Sequence, residues 1–386
     1  MALTEKPDPE SLPANPFQAE DNAYNAYNDC LNLEQQQGWN VLAGDLGRDY
    51  SADIMQDIPP VIIARVLGHG LRLAPSEEGR QVLAREILDC NTDWELLAGL
   101  GHVYVYGMIR VFYNQKGPTP SISNFQSPGP ALDDTAREAS YLLERSDATP
   151  RELQQLTLIR DNCACVFTGD LDYDTLGQEA AEAVFALNLD QRLTLTHVAH
   201  IISQSLSSGI RGMSDTAQRK FAWASTAAVV LECFSGFSAL AILGEANLQS
   251  PLNVMTASDA PHTLFDRLDL WLVPAKDERG AVIPDTYDVC HGASLSPQQL
   301  RMFHIKEQIS FRTATADGTI IPPPHPDILA LHATCAQVAH LSGAAAHMAE
   351  LYHDRDPDRI SVMTEPSAPT ELVQKLKVLQ LVPATV

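Results

Sequence analysis

Three short segments in a fixed order constrain this chain more than any other feature of it. They are Thr196-His197-Val198-Ala199-His200-Ile201-Ile202, then Leu252-Asn253-Val254, then His262-Thr263-Leu264-Phe265-Asp266. The first lies in Gln191 to Ile202, where Leu193, Leu195, Val198, Ile201 and Ile202 suit a strand. The last follows Ser258-Asp259-Ala260-Pro261, a helix start with Ser or Asp as cap and proline in the first turn. Four residues apart on that helix, His262 and Asp266 share a face and can converge on one cation. Upstream, Cys163-Ala-Cys165-Val166-Phe167-Thr168-Gly169-Asp170 reads as a strand turned back by Gly-Asp, with Gln191 to Ile202 as its hairpin partner across a long loop. The expected core is therefore two strands and a helix. Phe221 to Leu243, helical and interrupted at Gly236, is inserted before that helix.

Around this core the patterns are helical, and the fold class is α+β: mostly helix with an embedded core of short antiparallel strands. Residues 1–20, broken by Pro7, Pro9, Pro13 and Pro16, read as a disordered lead. Residues 21–132 form a helical region, with helices expected over Pro60 to Leu73, Glu77 to Cys90 and Asp93 to Tyr113. It ends in the turn-rich stretch 115–132. Residues 133–312 hold the core domain, opened by a polar helix over Asp133 to Arg145 and a second capped by Thr149, with the helical insertion at about 214–246. Leu268 to Val273 and Thr286 to Val289 read as short strands, and Pro297 to Met302 as a capped helical turn. Residues 313–386 form a helical extension, with an extended linker over 320–326, a long alanine-rich helix over Asp327 to Asp354 and a further helix over Thr370 to Leu379.

Composition narrows the function classes. The formal charge of −23 is adverse to generic nucleic-acid binding, which draws its affinity from basic side chains. From Arg160 to Arg312 there are 11 Lys and Arg against 18 Asp and Glu, so the core region has no basic footprint of its own. Seven scattered cysteines argue for a reducing compartment rather than a disulfide framework, and Cys163-Ala-Cys165 lacks the second pair that structural zinc requires. Without a secretory signal or a membrane-spanning stretch, the expected setting is cytoplasm or nucleus, with no membrane partner.

The run CVFTG, then AHII, then Asn253, then HTLFD resembles an HNH endonuclease domain, the ββα-metal class, of the kind found in many fungal proteins. The resemblance extends to flanking segments and covers roughly residues 60 to 350. It implies His200 as general base, Asn253 as the residue that orients it or organises the metal loop, and His262 and Asp266 as ligands of a divalent metal ion, Mg2+, Mn2+ or Zn2+. The family often has a metal-binding Asp or His just before the base, where this chain has Ala199; His197 is the candidate substitute, since it points to the same side of a strand as residue 199. His291, His304 and His325 read as structural or surface groups. His332, His340 and His347 read as a packing stripe on one helix.

The resemblance implies a metal-dependent endonuclease that hydrolyses phosphodiester bonds of nucleic acid. Two alternatives stand beside it: an HNH fold turned to a small-molecule reaction in specialised metabolism, and a non-catalytic interaction protein built on the same scaffold.

Overall fold

The computed structural model of the chain describes residues 9–35, 58–113, 150–175, 192–206, 224, 227–243, 248–316 and 319–354. The expected linker at 115–132, the polar helix at 133–145, the Thr149 cap and the helix at 370–379 lie outside them. In chain order the helices are α1 (Asn22–Gln35), α2 (Pro60–Leu73), α3 (Glu77–Asp89), α4 (Trp94–Tyr104), α5 (Pro150–Arg160), α6 (Ala239–Leu243), α7 (Asp259–Asp266), α8 (Pro297–Met302), α9 (Pro326–Ser342) and α10 (Ala344–Asp354). The strands are β1 (Leu171–Asp172), β2 (Leu193–Thr194), β3 (Thr196–His200), β4 (Val254–Ser258), β5 (Leu270–Lys276), β6 (Val282–His291), β7 (Gln308–Ser310), β8 (Ala314–Ala316) and β9 (Thr319–Ile321). The fold is α+β, helices with short and mostly antiparallel strand pairs. It divides into two compact units, each discontinuous in sequence. One comprises residues 1–6, 146–204 and 243–333, the other 7–145, 205–242 and 334–386, so residues 205–242 group with the helical unit rather than with the strands that flank them.

The helical unit is organised around α1, whose Ala23, Ala26, Tyr27, Cys30 and Leu33 recur at helical spacing and are all buried. Pro60 opens α2, and Ser76 caps α3 by accepting from the Gly79 amide at 2.9 Å. After Tyr104, α4 widens into a π turn over Val105–Ile109 and closes over Arg110–Phe112. Residues 9–20 are not the free lead that their prolines predict. Leu12 is buried, its amide bonds the Glu34 carboxylate, and the Glu10 amide donates to Leu341 O at 3.0 Å. Proline excludes helix here without excluding packing of an extended chain. The long helix expected over 327–354 is broken: α9 and α10 meet at 80° across Gly343, whose φ of +85° only glycine adopts cheaply. No single helix among the described residues is long and apolar enough to cross a membrane.

In the other unit the strand pairing differs from expectation. The Cys163 to Asp170 run is a turn with an isolated bridge, Ala164 to Leu171, and β1 pairs with β2 in parallel. The antiparallel partner of β3 is β4, in the register Thr196 to Ser258, Val198 to Thr256 and His200 to Val254. The insertion therefore falls between the two strands, not between strand and helix, and α7 follows β4 without a break. β4 is five residues long and buried throughout, so it lacks the alternation that marks a half-exposed strand. A three-stranded antiparallel sheet, β5-β6-β7, completes this unit with the β8-β9 hairpin, whose second strand takes up Ile320 and Ile321 of the expected linker.

A glycine gives the helical unit its sharpest test. A Cβ at Gly79 would stand 1.9 Å from the carbonyl oxygen of Phe234, so Gly79→Ala is expected to lower the stability to urea by about 2 kcal/mol or more, through overpacking against backbone. A midpoint unchanged within error would contradict this packing.

Candidate functional site

The ground for the site is laid by a buried ion pair. Arg160, with no solvent exposure, binds Asp161 through Nε at 2.8 Å and Nη2 at 3.1 Å. Its remaining donors reach three carbonyls: Pro251 at 2.8 Å and Pro322 at 3.2 Å from Nη1, and Val254 at 2.7 Å from Nη2. All five N–H groups of the guanidinium are used, which is what allows it to be buried. Asp161 Oδ2 accepts from the Thr256 amide at 2.8 Å, and Val166 N donates to Thr256 O at 3.0 Å. These bonds satisfy the side of β4 turned away from β3, an edge that would otherwise be unpaired. Asp172 fixes the other strand: its Oδ1 accepts from Thr196 N and Oγ1, and its Oδ2 from Thr175 N and Oγ1. Burial alone would raise its pKa, but these bonds to Thr175 and Thr196 prevail and lower it.

Asn253, fully buried, sits where the chain enters β4. Its Nδ2 donates to Ile202 O at 3.0 Å and Leu248 O at 3.1 Å, and its Oδ1 accepts from Ile202 N at 2.8 Å. Ile201 N donates to Asn253 O at 2.8 Å. The side chain is thus spent on backbone, joining the 248–253 loop to the end of β3. It positions the chain around His200 and is not a reacting group.

His200 ends β3. Its Nε2 is sequestered without a hydrogen-bond partner, while the Gln249 amide beside the ring favours its protonated form. Burial outweighs that contribution, with a smaller contribution from the nearby His262, and lowers the imidazole to about 4. His200 is therefore neutral at pH 7, the form a proton acceptor requires.

The proposed ligands fall into two pairs. His262 Nε2 lies 3.5 Å from Asp266 Oδ2 across one turn of α7, and His197 Nε2 lies 2.8 Å from Asp259 Oδ1 at an exposed position. The His197 and His262 rings are 6.4 Å apart between centroids. Among the described residues no group of three or more His, Cys, Asp or Glu side chains is arranged to hold a metal, so the expected set of His197, His262 and Asp266 is not assembled as one three-ligand cluster. His197 meets Asp259 at this exposed position, a contact that its place on β3 does not by itself predict. Two donors held at about 2.1 Å from one ion stand roughly 3.0 to 3.4 Å apart, so at 3.5 Å His262 and Asp266 would have to close slightly to share an ion, which would take its other ligands from water or substrate. Ala199 is sealed, with no exposure, opposite an equally buried Met255. Position 199, where the resemblance expects a further ligand, is thus closed by packing.

Behind α7, His332 stacks on Phe265 at 3.9 Å between centroids and 2° between planes. The supposed stripe of His332, His340 and His347 does not exist as one line, because the helix turns at Gly343 between the last two. His291 is buried against Gly292 O at 2.9 Å, and His325 Nδ1 accepts from the Asp327 amide. Sequence reasoning missed Arg160, Asp161, Asp172 and Gln249. An Arg-Asp dipeptide closing a helix carries no local mark of burial, and Gln249 belongs to no motif.

No family model, curated protein or solved structure matches the chain.

Two outcomes follow. Asn253→Ala leaves Ile202 N, Ile202 O and Leu248 O without partners and is expected to destabilise this unit by about 2 to 4 kcal/mol in denaturant melts, whereas a loss under 1 kcal/mol would deny Asn253 its role. Burial holds His200 near 4 and His332 near 3, below the unfolded value of 6.5. Their neutral burial therefore contributes full stability above pH 6.5, and this is lost as pH falls through about 4. Melts between pH 7 and 4 should show that loss, and His332→Gln should reduce it.

Proposed function

We propose that β3, β4 and α7 form a phosphodiester-hydrolysing centre of the ββα-metal, HNH-type class, with His200 as general base. One observation carries the reading: His200 ends a strand, Asn253 opens the strand paired with it, and His262 and Asp266 lie on the helix that follows directly. His200, neutral at pH 7, takes the proton of an attacking water. An imidazole held near 4 is a weak base, but the negative charge of a phosphodiester beside it favours the protonated ring and restores basicity as substrate binds. A divalent ion held by His262 and Asp266 would supply charge stabilisation on the phosphoryl oxygens. Asn253 keeps the end of β3 and the entry to β4 in register through its three side-chain bonds.

The reaction is tested with purified full-length protein and supercoiled plasmid in Mg2+, Mn2+ or Zn2+. Nicking is expected, with a loss of about 100-fold or more in His200→Ala. Absence of cleavage with all three metals overturns the nuclease reading. The acidic balance of residues 160–312 and the sealed Ala199 favour a second reading, in which the same centre acts on a small substrate. Hydrolysis of bis(p-nitrophenyl) phosphate that depends on His200, without plasmid nicking, would select it.

A further inference from the structure

Two polar atoms next to the candidate base are buried with no partner: Nε2 of His200 and Oε1 of Gln249. Buried donors and acceptors are almost always paired, because each one left alone costs about 1 to 3 kcal/mol. These two belong to adjoining pieces of chain whose juxtaposition is enforced from behind. Asn253 bonds Leu248 O, the carbonyl that leads directly into Gln249, and both backbone groups of Ile202, two residues beyond His200. The same carboxamide thus holds the loop that carries Gln249 against the strand end that carries His200. Gln249 is itself buried, with its side chain near enough to the ring to bias its protonation.

We propose that Gln249 is the positioning residue of His200: a small rotation brings its Oε1, unbonded in the structure, to accept the equally unbonded Nε2–H, fixing the ring orientation and leaving Nδ1 as the basic nitrogen. In a neutral imidazole one nitrogen donates and the other accepts, so the partner of the first determines which nitrogen is free for proton transfer. A charged partner would draw the proton strongly, whereas a neutral amide sets the tautomer and leaves the ring uncharged. The other buried hydroxyl without a partner on this strand pair, Thr256 Oγ1, is the competing acceptor.

The service to proton transfer rests on the hydrolytic reading above, whereas the ring orientation does not. The experiment reads them separately on the full chain. With 15N-labelled histidine, and His200 assigned through His200→Gln, the native protein is expected to show a solvent-protected Nε2–H proton at neutral pH. Gln249→Met, close in size but without the amide, should lose that protection; Gln249→Glu, which retains an acceptor, and Thr256→Val should keep it. In the cleavage assay Gln249→Met should lower kcat by about 10- to 100-fold with little change in KM, since an orienting bond acts on the proton transfer. Protection that survives Gln249→Met, or a ring protonated on Nδ1, overturns the proposal. If native protein shows the protected proton yet cleaves nothing, the orientation stands and only the hydrolytic reading falls.

Discussion

The buried pair of Arg160 and Asp161 is the interaction on which the arrangement of the candidate site depends. A guanidinium with no solvent exposure is tolerated only when each donor is used, and here every donor serves a carboxylate or a carbonyl of a segment bordering the site. Breaking such a pair by removing one member typically costs about 3 to 5 kcal/mol, because the partner charge stays buried. The consequence here is directional as well as energetic. Arg160 and Asp161 hold β4 on its outer side, so that its inner side is free to pair with β3 and deliver α7 behind it.

A second constraint lies on top of the first. Asn253 uses its whole carboxamide on backbone, as a bridge across the base of the inserted segment. With more than fifty residues between His200 and Asn253, closing the loop is entropically costly, and the Asn253 clasp fixes where its two ends meet. At the rim, His200 Nε2 and Gln249 Oε1 are both buried without a partner, His262 and Asp266 sit a turn apart on α7, and the Phe265 ring is stacked flat on His332. The contact of His197 with Asp259 is exposed and that of His262 with Asp266 half-buried, and both leave their side chains partly accessible.

The helices that sequence placed most accurately are those whose ends carry local signals. Pro60 opens α2, Ser76 caps α3, and the Ser296 capping box opens α8, each within a residue or two of the expected bounds. The candidate residues His200, Asn253, His262 and Asp266 were legible through their order, and α7 through its Asp-Ala-Pro start. The pairing of the strands was not. Nothing near Cys163 or Val254 says which of them lies beside β3, since β4 is buried on both faces and presents no alternation, and its edge is completed by residues almost a hundred positions away. The fate of residues 9–20 was equally hidden, because a proline-rich segment packs by side chains and isolated bonds rather than by a period.

The sequence by itself determined where α2, α3, α7 and α8 begin and that His262 and Asp266 lie one turn apart on a helix, because capping and periodicity act within a few residues. Only the tertiary structure decided that β4 partners β3, that His197 is engaged by Asp259, that Ala199 is sealed, and that Gln249 stands at the His200 ring. Each of these depends on segments that meet through burial and hydrogen-bond satisfaction, and those requirements leave no trace in the spacing of residues along the chain.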